Sequence, residues 1–135
     1  MKILVVDDER ICREMFKKVL SRYGQCDDVK NGTEAIEAFK NSLDNENPYQ
    51  LIILDIVLPD FHGGQVLKAI RGFERQKRIH EIDYVRIIFV SATHTWFNKE
   101  MVTQKLNPLY ETYYIKSPDL NELVDKIHEL GFIID

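Results

Sequence analysis

Long apolar runs, paired cysteines and an excess of basic charge are all missing from this 135-residue chain. No stretch approaches the roughly 20 apolar residues that a membrane helix needs. Met1-Lys2 leads directly into a strand-like run, which leaves no room for a signal peptide. The only cysteines, Cys12 and Cys26, form no CxxC pair; they suit a reducing compartment and read as inert core thiols. Lysine and arginine number 18 against 22 acids, a net charge of −4, so no basic field recommends nucleic acid as a partner. His62, His80, His94 and His128 lack metal-ligand spacing and read as surface residues. Repeats, low-complexity tracts and domain-sized linkers are absent as well. What is present is 44% hydrophobic residues, enough for a real core. The expectation is one domain over 1–135, cytoplasmic, with neither nucleic acid nor membrane as a partner.

The residues group into five alternations of strand and helix. Leu51-Ile52-Ile53-Leu54 runs straight into Asp55, the pattern of a fully buried strand with a carboxylate at its carboxyl end. Pro59 and Gly63-Gly64 then break the chain. Ile3 to Val6 is a second buried run and ends in Asp7-Asp8-Glu9. The spacing predicts a helix over 10–23, with Ile11, Met15, Val19 and Leu20 on one face, Phe16 beside it and Gly24 as the stop. Residues 26–30 form a weak strand signal. Asn31 or Thr33 caps a helix over 33–43 whose stripe is Ala35, Ile36, Phe39 and Leu43.

A helix over 64–73 uses Val66, Leu67 and Ile70, and the charged residues 74–83 read as its extension plus a surface loop. The basic run from Arg71 to Arg78 reads as a solvated helix end. Val85 to Val90 is a strand ending at Ser91, a helix is expected within 94–107, and Tyr113-Tyr114-Ile115 is a short strand before Lys116. Pro118-Asp119 opens a last helix with Leu120, Leu123, Val124, Ile127 and Leu130 inward, and Phe132-Ile133-Ile134 is expected to fold back onto the core. Trp96-Phe97 either packs under the preceding loop or serves a partner, with equal weight. This alternation predicts an α/β fold, a five-stranded parallel sheet with helices on both faces.

Parallel strands bring their carboxyl ends to one edge, where open α/β sheets bind ligands. Four of the five ends carry reactive groups: the acids 7–9, Asp55, Ser91 and Lys116. Two like charges about 4 Å apart cost roughly 4 kcal/mol at an effective dielectric of 20, so clustered carboxylates call for a cation. An oxygen-only donor set suits Mg2+, which binds through one or two carboxylates plus phosphate oxygens. Lys116 adds a point charge for an anion and Ser91 a hydroxyl donor. The constellation is suited to taking a phosphoryl group on Asp55, since a carboxylate can serve as the nucleophile.

Val-Val-Asp-Asp-Glu, Asn-Gly-Thr-Glu-Ala, Leu-Asp-Ile-Val-Leu-Pro and Val-Ser-Ala, in this order and spacing with Lys116, resemble the receiver domain of two-component response regulators. The resemblance covers essentially the whole chain. It implies a flavodoxin-like doubly wound (βα)5 fold and a stand-alone receiver that takes a phosphoryl group onto Asp55 from a histidine kinase or histidine phosphotransfer protein. The chain would not be an enzyme in the ordinary sense, although it would partly catalyse its own phosphorylation and dephosphorylation. The implied Mg2+ set is Asp7, Asp8, Asp55 and the Val57 backbone carbonyl, with Asp8 binding directly and Asp7 through water. Ser91 would be the switch hydroxyl, Lys116 the partner of the phosphoryl group and Tyr113 the switch aromatic.

Three departures from the family pattern stand out: Lys116-Ser117-Pro118 where proline usually follows the lysine directly, Leu109-Tyr110 where small residues are usual, and His62 in place of an acid. A trans Lys116–Ser117 bond or a locally altered loop is expected, because a non-proline cis bond costs about 2.5–4 kcal/mol. With no effector domain expected after residue 135, output would pass through the face built from residues 94–130 to a protein partner, or onward to a phosphotransfer histidine. Two rivals remain. One is a Mg2+-dependent phosphatase with an Asp55 nucleophile, which lacks a second acid at Val57. The other is a pseudo-receiver that only binds partners.

Overall fold

Five consecutive apolar or acidic residues, Leu51–Asp55, are all buried and form the central strand β3 of the computed structural model, which describes residues 1–92, 106–117 and 120–132. The other strands are β1 (Lys2–Val6), β2 (Gln25–Val29), β4 (Arg86–Ser91) and β5 (Glu111–Ile115). Between them lie α1 (Arg10–Leu20), α2 (Gly32–Asp44) and α3 (Gly63–Gln76), with a 3-10 turn at Glu81–Asp83; α4 (Asn121–Glu129) follows β5. All pairings are parallel, and the strand order is β2-β1-β3-β4-β5. This is the doubly wound order in which the winding direction reverses between β1 and β3, so a crevice opens there at the carboxyl edge.

Alternation along the strands divides the core in two. Leu4, Val6, Ile52, Leu54, Ile87 and Phe89 point toward α2 and α3, where Ala35, Phe39, Val66 and Ile70 meet them. Ile3, Val5, Leu51, Ile53, Ile88, Val90 and Tyr114 point the other way, onto Phe16 and Leu20 of α1 and Leu123 and Ile127 of α4. The expected parallel α/β fold is therefore what forms. Asn31 is the cap of α2, its side chain accepting from the Glu34 N–H at 2.8 Å. No helix among the described residues is long and apolar enough to cross a membrane.

Several local expectations are corrected. Ile11 is 78% exposed, because the stripe of α1 that meets the sheet runs Cys12, Phe16, Leu20 at intervals of four. Cys12 and Cys26 are only partly buried. The α3 helix runs on to Gln76 as the expected extension, but Arg71 and Glu74 prolong its buried stripe instead of facing solvent. They are tolerated inside because they neutralise each other. Arg71 donates to Glu74 Oε1 at 2.6 Å and to Glu111 Oε2 through Nη2 at 2.8 Å, and Glu74 Oε2 accepts from the Val85 N–H at 2.7 Å. His80 and His128 are exposed as expected, whereas His62 is half-buried. Expectations that fall on residues 93–105, 118–119 and 133–135, including Trp96-Phe97, His94 and the start of the last helix, lie outside the described residues.

Candidate functional site

The carboxyl edge of the sheet gathers the predicted residues in register. Asp55 is the last residue of β3 and pairs with Val90, so Ser91 stands one step beyond it on the neighbouring strand. Ser91 in turn pairs with Ile115, and the Lys116 N–H donates to the Ser91 carbonyl at 2.8 Å. Asp7 follows β1 directly, its N–H bonded to the Val29 carbonyl. Asp7, Asp55 and Ser91 are buried, at 1%, 5% and 1% exposure, while Asp8 is open to solvent.

Lys116 Nζ reaches between the two buried acids, 2.9 Å from Asp7 Oδ2 and 3.3 Å from Asp55 Oδ2. The nearer contact is an ion pair without hydrogen-bond alignment, and Asp7 Oδ2 has no hydrogen-bond donor among the described residues. The other oxygens are held from within the chain. Asp7 Oδ1 accepts from the Glu9 N–H at 2.9 Å, and Asp55 Oδ1 accepts from the Val57 N–H at 3.0 Å. Burial pushes the Asp55 carboxyl up; Lys116 works against this and the charge of Asp7 adds to it, leaving the carboxyl at about 6. Burial would lower Lys116, but its contact with Asp7 and the charge of Asp55 outweigh it and hold the ammonium firmly protonated.

One carboxylate oxygen from each of Asp7, Asp8 and Asp55 lies within 4.8 Å of the other two. Three acids against one lysine leave an excess of two negative charges. The Asp7 oxygen met by Lys116 alone and without hydrogen-bond alignment, the raised Asp55 and the all-oxygen donor set together fit a hard divalent cation such as Mg2+.

The loop after β3 is folded tightly. Val57 bridges His62 in antiparallel fashion, and the Gly63 N–H donates to the Ile56 carbonyl at 2.8 Å. Gly63 leaves little room there: a Cβ would stand 3.1 Å from the Ile56 Cα and 3.2 Å from the Phe89 ring, tight enough that the neighbours would have to give by a few tenths of an ångström. The Val57 side chain is 44% exposed and places no acid in the site. Tyr113 is brought less close: it pairs with Phe89 on β5, is 42% exposed, and has Lys126 Nζ 5.6 Å from its ring centre. Among the described residues no peptide bond is cis, the Lys116–Ser117 bond included.

Two neighbours of the site escaped the sequence reading. Cys12 lies beside the acids, its thiol, with Asp7 and Glu9, forming a set of donors within 4.8 Å of one another; burial and then Asp7 push the thiol pKa up. The signal was its place one turn after the acid pair, on the stripe that faces the sheet. Asp60 accepts from the Gly32 and Thr33 N–H groups at 2.8 and 2.9 Å, across 28 and 27 residues of chain. No local pattern marks such a distant cap.

A family model for the response regulator receiver domain matches residues 3–128. Hybrid signal transduction histidine kinase L of Dictyostelium discoideum is 32% identical over 102 residues, which is 75% of this chain but 6% of the kinase. Chemotaxis protein CheY of Bacillus subtilis is 34% identical over 80 residues, 58% of this chain and 62% of that protein. The chain thus spans a small part of the hybrid kinases that it matches and somewhat under two thirds of the chemotaxis protein. Among solved structures, a Thermotoga maritima response regulator in complex with Mg2+-BeF superposes with a TM-score of 0.69 at 28% identity, covering 96% of this chain and 97% of that one. The Mg2+ complex of the receiver domain of an Arabidopsis thaliana histidine kinase gives 0.78 at 23% identity, covering 96% and 91%, a likeness of fold.

Proposed function

The chain belongs to the response regulator receiver domain family, and from that premise we propose that Asp55 is its phosphoacceptor. The observation that carries the reading is a buried carboxylate at the carboxyl end of the central strand, with Lys116 on one oxygen and an acid pair beside it. The donor is a phosphohistidine of a histidine kinase or of a histidine phosphotransfer protein. An Asp55 carboxylate oxygen forms the new bond to phosphorus, the bond from phosphorus to the imidazole nitrogen breaks, and the imidazole leaves with that electron pair.

Lys116 supplies fixed positive charge to the phosphoryl oxygens, and its place between Asp7 and Asp55 lets it follow the new charge without leaving the site. A Mg2+ ion held by Asp7, Asp8, Asp55 and the Val57 carbonyl would neutralise charge on the transferring oxygens. Asp8 is the solvent-facing ligand in this reading, and Asp7 acts through water. The same groups let the chain take phosphoryl from a small acyl phosphate and lose it again to water. Ser91 is the switch hydroxyl and Tyr113 the aromatic that responds. The strand β5 carries Tyr113 and packs on α4, so the signal passes to the described part of the 94–130 face and from there to a protein partner. The exposed Val57 side chain argues against the phosphatase rival, which needs an acid at that position.

Incubation with acetyl phosphate and Mg2+, followed by intact mass, tests the reading. One added phosphoryl in wild type and none in Asp55→Asn is expected. No addition in wild type would return the chain to the pseudo-receiver reading, and turnover of a simple phosphate ester would revive the phosphatase.

A further inference from the structure

The N-terminus of α2 is capped twice, and the second cap comes from the phosphoacceptor loop. Asn31 serves the Glu34 N–H. Asp60, at the tip of the loop after β3, serves the two N–H groups before it: Oδ1 accepts from Gly32 at 2.8 Å and Oδ2 from Thr33 at 2.9 Å. The Thr33 hydroxyl adds a third bond to Oδ2 at 2.6 Å. Slight burial would raise this carboxyl, but the bonds from Thr33 and Gly32 outweigh it and bring it down to about 2, so the clamp keeps its charge throughout the physiological range. Phe61 closes over the same point, where a Cβ on Gly32 would stand 2.7 Å from the Phe61 ring and 3.1 Å from Asp60 Oδ1.

The clamp fixes one end of a short, stiff lever. From the Asp60 tip the loop returns through the Val57–His62 bridge and the Gly63-to-Ile56 hydrogen bond to the root that carries Asp55 and Val57. The Ile56–Val57 peptide unit is thus held on both sides, its carbonyl by the Gly63 N–H and its N–H on Asp55 Oδ1; the Val57 carbonyl begins the next unit, so a tilt of the held unit shifts the acceptor carboxylate directly and that carbonyl through the Val57 Cα.

We propose that Asp60 is a positioning residue for the divalent cation: by clamping the loop onto α2 it holds the Val57 carbonyl and Asp55 in the orientation the cation needs. The inference rests on the phosphoacceptor reading above. A residue that orients a ligand from behind is expected to change metal affinity by about tenfold or more when removed.

The test is a Mg2+ titration of the unphosphorylated full chain by calorimetry, with acetyl phosphate uptake measured in parallel. Asp60→Ala should weaken Mg2+ binding about tenfold and raise the Mg2+ concentration for half-maximal uptake, while the rate at saturating Mg2+ stays near that of wild type. Asp60→Asn keeps one acceptor oxygen and should fall between the two. Thr33→Val, which removes only the hydroxyl bond, should follow in the same direction with a smaller shift. Should Asp60→Ala fold poorly, the latter two carry the comparison. Faster amide exchange at Gly32 and Thr33 with unchanged Mg2+ affinity would overturn the inference and leave Asp60 a plain helix cap. Wild-type uptake on Asp55 alongside that result would leave the phosphoacceptor reading intact. Weakened Mg2+ binding in a protein that takes no phosphoryl would overturn that reading and spare the inference.

Discussion

Lys116, half-buried, and Arg71, buried, are both cations held between two carboxylates, one at each end of the sheet. At the amino end the cluster is closed. Both Glu74 oxygens accept, from Arg71 and from the Val85 N–H, and both Glu111 oxygens accept, from Arg71 and from the Asn107 N–H at 2.8 Å. Tyr84 covers the guanidinium at 5.2 Å. At the carboxyl end the cluster is open: Asp7 Oδ2 has no aligned donor, the Asp55 contact is stretched to 3.3 Å, and a third acid stands at the rim. The same ingredients make a staple where every carboxylate oxygen is used and a receptor where some are left. Satisfaction, more than composition, separates structure from function here.

The comparison can be broken most forcefully at Arg71. Arg71→Met would leave Glu74 and Glu111 buried without a counter-charge, and we expect a loss of about 3–5 kcal/mol in urea unfolding. Lys116→Met should cost less, because Asp55, already raised to about 6, can take up a proton. Equal losses at the two ends would erase the distinction.

The next effect is smaller and depends on pH. The folded chain keeps a proton on Asp55 up to about pH 6, whereas the unfolded chain releases it near the ordinary aspartate value of about 3.9. Folded protein therefore holds more protons across that window. The Asp55 contribution to stability falls as pH rises through it, reaching a penalty on the order of 2–3 kcal/mol above pH 6. Urea melts in chelator should show Asp55→Asn more stable than wild type at pH 7, with the difference vanishing below about pH 4. A difference that does not change with pH would mean that burial of Asp55 is not the source of its strain.

The mildest perturbation is the cation itself. Mg2+ at ten times its Kd should stabilise wild type by about 1.4 kcal/mol in thermal melts. The increment should shrink in Asp7→Asn and survive at full size in any Arg71 variant that still folds. An increment unchanged in Asp7→Asn would show that the open cluster is not where the cation binds.

How much of this could be read in advance follows the same division. The buried runs of β1, β3 and β4 announce themselves because a strand buried on both faces must be continuously apolar, and the polar residues that interrupt them then mark the rim. Asp7, Asp8, Asp55 and Ser91 were legible for that reason, and Lys116 because it ends the short strand signal Tyr113-Tyr114-Ile115. The closed cluster was not. Arg71 and Glu74 sit in a run of charge that solvates most helices, and only Glu111, 40 residues away, makes their burial tolerable. Ile11 was misread because 11, 15 and 19 form as good a helical stripe as 12, 16 and 20, and only the direction in which the chain leaves β1 chooses between them. Asp60 was invisible because its partners lie in another element.

The contact between Lys116 and Asp55 joins residues 61 positions apart, and the one to Asp7 joins residues following the first and last strands of the sheet. Such pairings have high contact order. The lysine reaches the acceptor only where β5 lies on β4 and β4 on β3. Competence to accept a phosphoryl group is therefore a report on completed folding: a half-folded or truncated chain would carry every acid of the site and still be silent.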